Sequence, residues 1–252
     1  MEKNDNTPSP DISVILPALN EEVTIGSCIR KIQQVFRSME IDGEIIVSDS
    51  SSDSTPEIAL SLGALVVHPE HRGYGYAYIE ALRKARGRYI AIGDADNTYD
   101  FLELPLLIHA LDEGADLVVG SRFKGKIIDG AMIPLHRYIG NPFLTWMLNK
   151  VFGTDFSDTH SGFRAIRADA LMRLNLQSWG MEFASEMLIK ASREGLKIAE
   201  VPITYYPRAT PSKLSSYSDG WRHLRFILLL RPMPFLTIPG ICFTLFGRSE
   251  EH

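Results

Sequence analysis

Tyr89-Ile90-Ala91-Ile92-Gly93-Asp94-Ala95-Asp96 reads as a short buried strand that ends in two carboxylates. Residues two apart on an extended segment point the same way, so Asp94 and Asp96 leave the strand together where a polar loop begins. A hard divalent cation suits that arrangement. It takes one or two carboxylates and fills its remaining positions with substrate phosphate oxygens. Aspartate is also a favoured turn and cap residue, so the pair alone reads more readily as turn chemistry than as a metal site. The surrounding pattern has to decide.

Outward from this strand, the first half of the chain alternates strand and helix. Ile12 to Leu16, Glu44 to Val47, Ala64 to Val67, Tyr89 to Ile92 and Leu117 to Val119 are strand candidates. Between them, Glu22 to Phe36 is a helix with Ile25, Cys28, Ile29, Ile32, Val35 and Phe36 on one stripe. Thr55 to Leu62 is a short helix entered at Pro56. Gly75 to Lys84 is another, ended at Gly87, and Leu102 to Glu113 a fourth. This alternation predicts an α/β domain with a mostly parallel sheet and helices on both faces. Ligands in such sheets bind beyond the carboxyl ends of the strands. Three polar loops fall there: Pro17-Ala18-Leu19-Asn20-Glu21, Asp49-Ser50-Ser51-Ser52-Asp53, and Asp94 to Asn97. The Asp49 loop reads either as a nucleoside holder or as an N-cap and turn cluster.

The second half is less regular. Ile139 to Phe152 and Glu182 to Glu194 read as helices, Lys197 to Thr204 as a strand, and Trp221 to Leu230 as a helix carrying Arg222, His223 and Arg225 among apolar residues. Phe235 to Gly247 is nearly all apolar over about thirteen residues, short of the roughly twenty a spanning helix needs, and Pro232, Pro234 and Pro239 interrupt it. It reads as an interfacial segment, as a membrane anchor cut short, or as a buried element. The expected organisation is a disordered stretch at 1–10, a catalytic-type domain at 11–217 and an amphipathic, membrane-associating segment at 218–252.

The chain has 252 residues, 45% hydrophobic and 23% charged, with a net charge of −5, which argues against general nucleic-acid binding. The charge is unevenly spread. Arg122 to Lys150 holds five Lys/Arg against Asp129, and Pro202 to Arg231 holds five against Asp219. Each stretch reads as a solvated basic face or as a partner for an anion at an apolar boundary, such as a lipid phosphate. Cys28 and Cys242 lie far apart and read as packed thiols of a reducing compartment. The N-terminus has neither a basic nor an apolar region of the kind a signal peptide carries.

Together these loops resemble the family-2 glycosyltransferases of GT-A fold. The resemblance rests on Pro17 to Glu21, the Asp49 loop, Arg72-Gly73-Tyr74-Gly75, Gly87-Arg88-Tyr89-Ile90 and Asp94-Ala95-Asp96, in that order. Gly120-Ser121-Arg122, Ser161-Gly162-Phe163-Arg164, Glu186, Glu200-Val201-Pro202-Ile203, and Arg208 with Ser212-Lys213-Leu214 are similar to the dolichyl- or polyprenyl-phosphate sugar synthases within that family. The first acidic loop departs from the family in being serine-rich, and His160 stands where a threonine is common.

The resemblance implies roles. Asp94 and Asp96 would hold Mg²⁺ or Mn²⁺ on a donor diphosphate. Pro17, Glu21 and Asp49 would line the nucleoside pocket beside Asp94. Arg122, Arg208 and Lys213 would face phosphates, where the guanidinium fork bonds oxygens in pairs. Arg137, Ser161 and Arg208 are candidates at the acceptor phosphate. Glu186 reads either as an acceptor-site residue or as the partner of Lys190 one helical turn on. The implied reaction is inverting transfer of a hexose from a nucleotide sugar, GDP-mannose or UDP-glucose in type, to a polyprenyl or dolichyl phosphate. It would take place at the cytoplasmic face of a membrane, with the protein held peripherally or by its C-terminus. A phosphate monoester is largely dianionic at neutral pH, so no general base is expected.

Rival readings are another family-2 enzyme acting on a cell-envelope glycan and a non-catalytic protein binding nucleotides or lipid phosphates. Processive polysaccharide synthases share the front half but carry Gln-x-x-Arg-Trp, and Gln177-Ser178-Trp179 lacks the arginine. A dinucleotide-binding fingerprint would need glycine where Tyr78 stands.

Overall fold

The computed structural model describes residues 9–209 and Arg225. Seven strands form one sheet: β1 (Ile12–Ala18), β2 (Gly43–Asp49), β3 (Leu65–Val67), β4 (Tyr89–Ile92), β5 (Leu117–Ile127), β6 (Arg164–Arg167) and β7 (Ile198–Tyr205). Their order across the sheet is β3-β2-β1-β4-β6-β5-β7. The four pairings β1–β2, β1–β4, β2–β3 and β5–β7 are parallel. β6 runs antiparallel to both of its neighbours, β4 and β5. The mostly parallel sheet expected from the sequence is therefore present, with one reversed strand wedged into it.

Seven α-helices flank the sheet: α1 (Ile25–Met39), α2 (Thr55–Ser61), α3 (Tyr74–Leu82), α4 (Leu104–Asp112), α5 (Asn141–Phe152), α6 (Ala168–Leu174) and α7 (Phe183–Arg193). Side chains alternate between the faces of a strand, and β1 shows the consequence. Ile12, Val14 and Leu16 face the α1 and α4 layer, while Ile15 faces the α3, α6 and α7 layer. The predicted stripe on α1 is buried as Ile25, Cys28, Ile29, Ile32 and Val35. Each fully buried isoleucine there contributes about 1.5–3 kcal/mol over leaving it in water.

Two sequence expectations shift. Arg164 to Arg167 and Ala168 to Leu174 form a strand and a helix that the sequence reading left unassigned. Gly87 does not cap α3, which ends at Leu82. Its role is close approach: a Cβ there would strike the Ser13 amide and fall 2.6 Å from the Ile12 carbonyl carbon. The Gly87 N–H instead donates to Ser13 Oγ at 2.8 Å, tying the entry of β4 to β1.

Among the described residues no helix is long and apolar enough to cross a membrane. Lys213, the helix expected at Trp221 to Leu230 and the apolar run after Phe235 lie outside the described residues.

Gly87→Ala should destabilise the fold by about 1–3 kcal/mol, the usual cost of overpacking a tight contact. A lowered urea midpoint with an unchanged slope would show it, and a midpoint equal to that of the parent protein would refute the close-approach account.

Candidate active site

The register of the sheet builds the site. Ala18 pairs with Asp49, so the loops after β1 and β2 leave the sheet side by side. The Gly93 N–H continues the β1–β4 ladder by donating to the Ile15 carbonyl at 3.2 Å, which brings Asp94 beside Pro17. The first two loops are then laced together. Ser51 Oγ accepts from the Asn20 N–H at 2.7 Å, Asn20 Oδ1 accepts from the Ser52 N–H at 2.8 Å, and Thr55 Oγ1 accepts from the Glu21 N–H at 2.9 Å. Asp53 takes up the turn role, its Oδ1 accepting from the Thr55 N–H at 3.0 Å.

The third loop turns at Asn97, whose φ of 62° is in the left-handed region that asparagine tolerates. That turn returns Thr98 to Asp96. Asp96 Oδ1 accepts from the Thr98 N–H at 3.0 Å and from Thr98 Oγ1 at 2.6 Å. The Tyr74 hydroxyl donates to Asp94 Oδ1 at 3.1 Å. Burial raises the Tyr74 pKa far above the ordinary tyrosine range, so this hydroxyl stays a donor. Behind the second oxygen lies Gly162, where a Cβ would stand 3.1 Å from Asp94 Oδ2 and 2.9 Å from the Tyr74 hydroxyl. Glycine lets the loop before β6 pass close under the carboxylate, where a side chain would press on Tyr74 and Asp94.

A cleft of about 260 Å³ opens over these loops. Pro17, Glu21, Asp94, Asp96 and Arg208 all line it, joined by Ser50, Arg72, Tyr74 and Met181. Asp49 is buried and is not a lining residue; the adjacent Ser50 reaches the cleft in its place. Burial, then the neighbouring Asp96 charge, pushes the Asp94 carboxyl up to about 7. A carboxylate so crowded fits a site made for positive charge. Arg208 supplies one: its Nε is 3.1 Å from Asp96 Oδ2 and its Nη2 3.2 Å from Glu21 Oε1. Among the described residues no group of three or more His, Cys, Asp or Glu side chains could hold a metal by itself. A metal seated here would rest on Asp94 and Asp96 and take its other ligands from a bound diphosphate, which is how magnesium-type sites are commonly completed.

The remaining predicted residues stand around the cleft. Arg122 is buried and gripped by Asp158, with Nε–Oδ2 of 2.7 Å and Nη2–Oδ1 of 2.8 Å, and its guanidinium lies 5.1 Å from the Tyr205 ring centre. Burial, the largest single effect, would lower its pKa; the Asp158 charge, Tyr99, the hydrogen bonds to Asp158 and Tyr205 together outweigh it and raise the pKa. Arg122 also lines a second cavity of about 260 Å³ with Phe123, Arg137, Tyr138 and Pro142. Its charge reaches Asp94, lowering that carboxyl's pKa against the larger upward push of burial. Ser161 is fully buried, its carbonyl accepting from Arg164 Nε at 2.8 Å. Glu186 is buried too. It pairs with Lys190 at 2.7 Å and accepts from the Gln177 and Ser178 N–H groups at 2.8 to 3.1 Å, which holds the loop that carries Met181 to the cleft.

Asp158 and Tyr74 are the functional partners that sequence reasoning missed as individual residues. Asp158 lies three residues before the Ser161-Gly162-Phe163-Arg164 motif, and an acid that close to a motif arginine was the available signal. Tyr74 sat within a quoted motif, but nothing local marks its hydroxyl as a partner for an aspartate twenty residues on.

A sheet of this order with acidic loops at its carboxyl edge defines the GT-A class of nucleotide-sugar transferase folds. Within that class, the family model for glycosyl transferase family 2 matches residues 13–174, and the chain belongs to that family. Low-salt glycan biosynthesis hexosyltransferase Agl6 of Haloferax volcanii is 48% identical over 244 residues, covering 96% of this chain; the chain spans 59% of that relative's length. The dolichyl-phosphate hexose transferase of the same organism is 34% identical over 215 residues, 83% of this chain and 89% of that protein. The crystal structure of glucosyl-3-phosphoglycerate synthase from Mycobacterium tuberculosis, in complex with Mn²⁺, UDP and glucosyl-3-phosphoglycerate, aligns with a TM-score of 0.72 at 27% identity, over 88% of this chain and 80% of that one. Another structure of that enzyme holds Mg²⁺ and UDP.

Two outcomes follow from the charges. The folded chain keeps the Asp94 proton up to about 7, whereas the unfolded chain releases it near 3.8. The folded state therefore binds more protons between those values, and the metal-free protein loses stability as pH rises through the window. Asp94→Asn should raise the thermal midpoint at pH 8 and leave it near the parent value at pH 4; an equal change at both would exclude the mechanism. Asp158→Ala strands Arg122 as a buried unpaired charge and should cost about 3–5 kcal/mol in urea unfolding.

Proposed function

We propose that this protein transfers a hexose from a nucleotide sugar to a polyprenyl or dolichyl phosphate, with inversion at the anomeric carbon. One observation carries the reading: Arg122 and Arg137 share a cavity whose wall runs into an exposed apolar stretch, while Arg122 also acts electrostatically on Asp94 in the acidic cleft. Ile133, Leu135, Tyr138, Ile139, Phe143 and Trp146 are all more than half exposed within that stretch. An arginine pair at such a boundary suits a phosphate carried on a hydrocarbon chain. The name of the dolichyl-phosphate hexose transferase relative supports the same acceptor class.

In this reading the acidic cleft takes the donor. Asp94 and Asp96 would hold Mg²⁺ or Mn²⁺, which supplies Lewis-acid neutralisation of the departing diphosphate. Pro17, Glu21 and Ser50 would border the nucleoside, and Met181 lines the same cleft. Arg122 is fixed by Asp158, so its charge needs no rearrangement when the anionic groups assemble, the condition under which such a charge is most effective. Arg137 receives the acceptor phosphate. That group is already largely dianionic at neutral pH, so its oxygen attacks without a side chain to remove a proton. The exposed apolar stretch meets the bilayer surface that delivers the lipid.

Asp96→Ala should lower transfer by at least about a hundredfold, the scale of losing a preorganised electrostatic partner. EDTA should do the same and Mn²⁺ or Mg²⁺ restore the rate. Near-normal turnover in EDTA would remove the metal from the scheme. Arg137→Gln should raise KM for the prenyl phosphate and leave donor KM unchanged. The acceptor class is tested by offering undecaprenyl phosphate, dolichyl phosphate and 3-phosphoglycerate with a panel of labelled nucleotide sugars. Transfer to phosphoglycerate alone would overturn the lipid assignment.

A further inference from the structure

Arg208 lies against one of the two carboxylates that would hold a divalent cation. Its Nε approaches Asp96 Oδ2 at 3.1 Å, and Oδ2 is the oxygen of Asp96 that Thr98 does not hold. Its Nη2 reaches across the cleft to Glu21 Oε1 at 3.2 Å. One guanidinium thus spans the acidic loops that follow β1 and β4. Arg208 differs from Arg122 in the way it is held. Arg122 meets a single carboxylate with two parallel bonds in a dry interior. Arg208 makes one contact to each of two carboxylates, and its side chain is 24% exposed. The first arrangement is a fixed pair; in the second, each contact is single, and the carboxylates released, Glu21 and Asp96, line the cleft where a cation can replace the guanidinium.

We propose that Arg208 is an exchangeable cation. It neutralises the acidic cleft while the donor is absent and yields Asp96 to the divalent ion when the donor enters, so that Arg208 and metal compete for one carboxylate oxygen. The inference rests on the donor-site reading above and adds to it a role for Arg208 in the empty site. Arg208 is a positioning residue in this scheme. It sets how tightly metal binds without nucleotide, and its release frees a guanidinium beside the incoming phosphates.

The test is a titration of Mn²⁺ into the full chain, with free Mn²⁺ read by electron paramagnetic resonance, first without nucleotide and then with UDP. Arg208→Gln should bind Mn²⁺ roughly two- to fivefold more tightly than the parent in the absence of UDP, the size of effect one partly shielded ion pair gives. Arg208→Lys, which keeps the charge, should stay near the parent. Arg72→Gln removes another arginine that lines the cleft and should gain clearly less than Arg208→Gln, which separates direct exchange from a general field effect. With UDP present the Arg208→Gln advantage should shrink, because the nucleotide's own charge then helps to draw the metal in. An Arg208→Gln protein that binds Mn²⁺ no tighter than the parent, while the parent binds Mn²⁺ with UDP, overturns the exchange and leaves the donor site standing. An equal gain from Arg72→Gln overturns it too. A parent that binds Mn²⁺ under neither condition removes the donor-site reading, and the exchange with it.

Discussion

Two carboxylates set side by side at the end of a buried strand repel each other, and the cleft is organised around that repulsion. Asp94 and Asp96 lie past β4, which ends at Ile92, with Asp96 already in the turn, and Asp94 is sunk against Tyr74 and Gly162. Neither burial nor proximity favours two negative charges, and the raised pKa of Asp94 is the result. A protein selected for stability alone would relieve the conflict by replacing one acid. Retaining both is sensible only if a positive group spends part of its time there. Arg208 meets that need in the chain itself, and a hard divalent cation meets it more fully once phosphate oxygens complete its shell.

The reversed strand β6 is what joins this acidic edge to the basic side of the molecule. It stands between β4, which leads into the loop of the aspartates, and β5, which carries Arg122. The approach to β6 passes Asp158, which clamps Arg122, and Gly162, which slides beneath Asp94. Arg164 then fastens the approach from inside. Its guanidinium donates to the carbonyls of Thr159, Ser161 and Ala184, binding the loop to the start of α7. All three acceptors are neutral, and burial lowers the Arg164 pKa. A cation held this way has no electrostatic task towards a ligand; its work is to fix backbone. Glu200 does the same from the other side, accepting from the Ser157 and Asp158 N–H groups at 2.9 and 3.2 Å.

The acidic cleft was legible in the sequence because local signals agreed there. Strand periodicity, short apolar runs and polar loops all pointed to one carboxyl edge, and Pro17, Glu21, Asp94, Asp96 and Arg208 do meet in one cleft. Asp49 did not follow, because a one-residue difference along the loop puts Ser50 at the cleft and Asp49 beneath it, a distinction below the resolution of pattern reading. β6 was invisible for a different reason. Arg-Ala-Ile-Arg has charged ends, which suggests surface, and only the three carbonyls gathered around Arg164 make its burial tolerable. Those acceptors come from a loop and from a helix some twenty residues away, so no local window contains them. Gly87 was assigned to a cap from its place after a helix, and its true constraint, the β1 backbone, lies more than seventy residues upstream.

The two arginines nearest the acids illustrate why residue type alone does not assign a role. Both were expected to face phosphates, and both are guanidinium groups beside carboxylates. Arg122 has its fork closed on Asp158 and its pKa raised by that charge, so it acts as a permanent part of the field. Arg208 touches its partners singly and from a partly wet position. Preorganised charge lowers a barrier because it need not move, whereas a cleft that took up a metal and released a diphosphate, as proposed above, would need a charge that can. Geometry divides those two requirements between Arg122 and Arg208. The division also explains why the acidic partner of Arg122 is sealed from the cleft, while those of Arg208 are part of its wall.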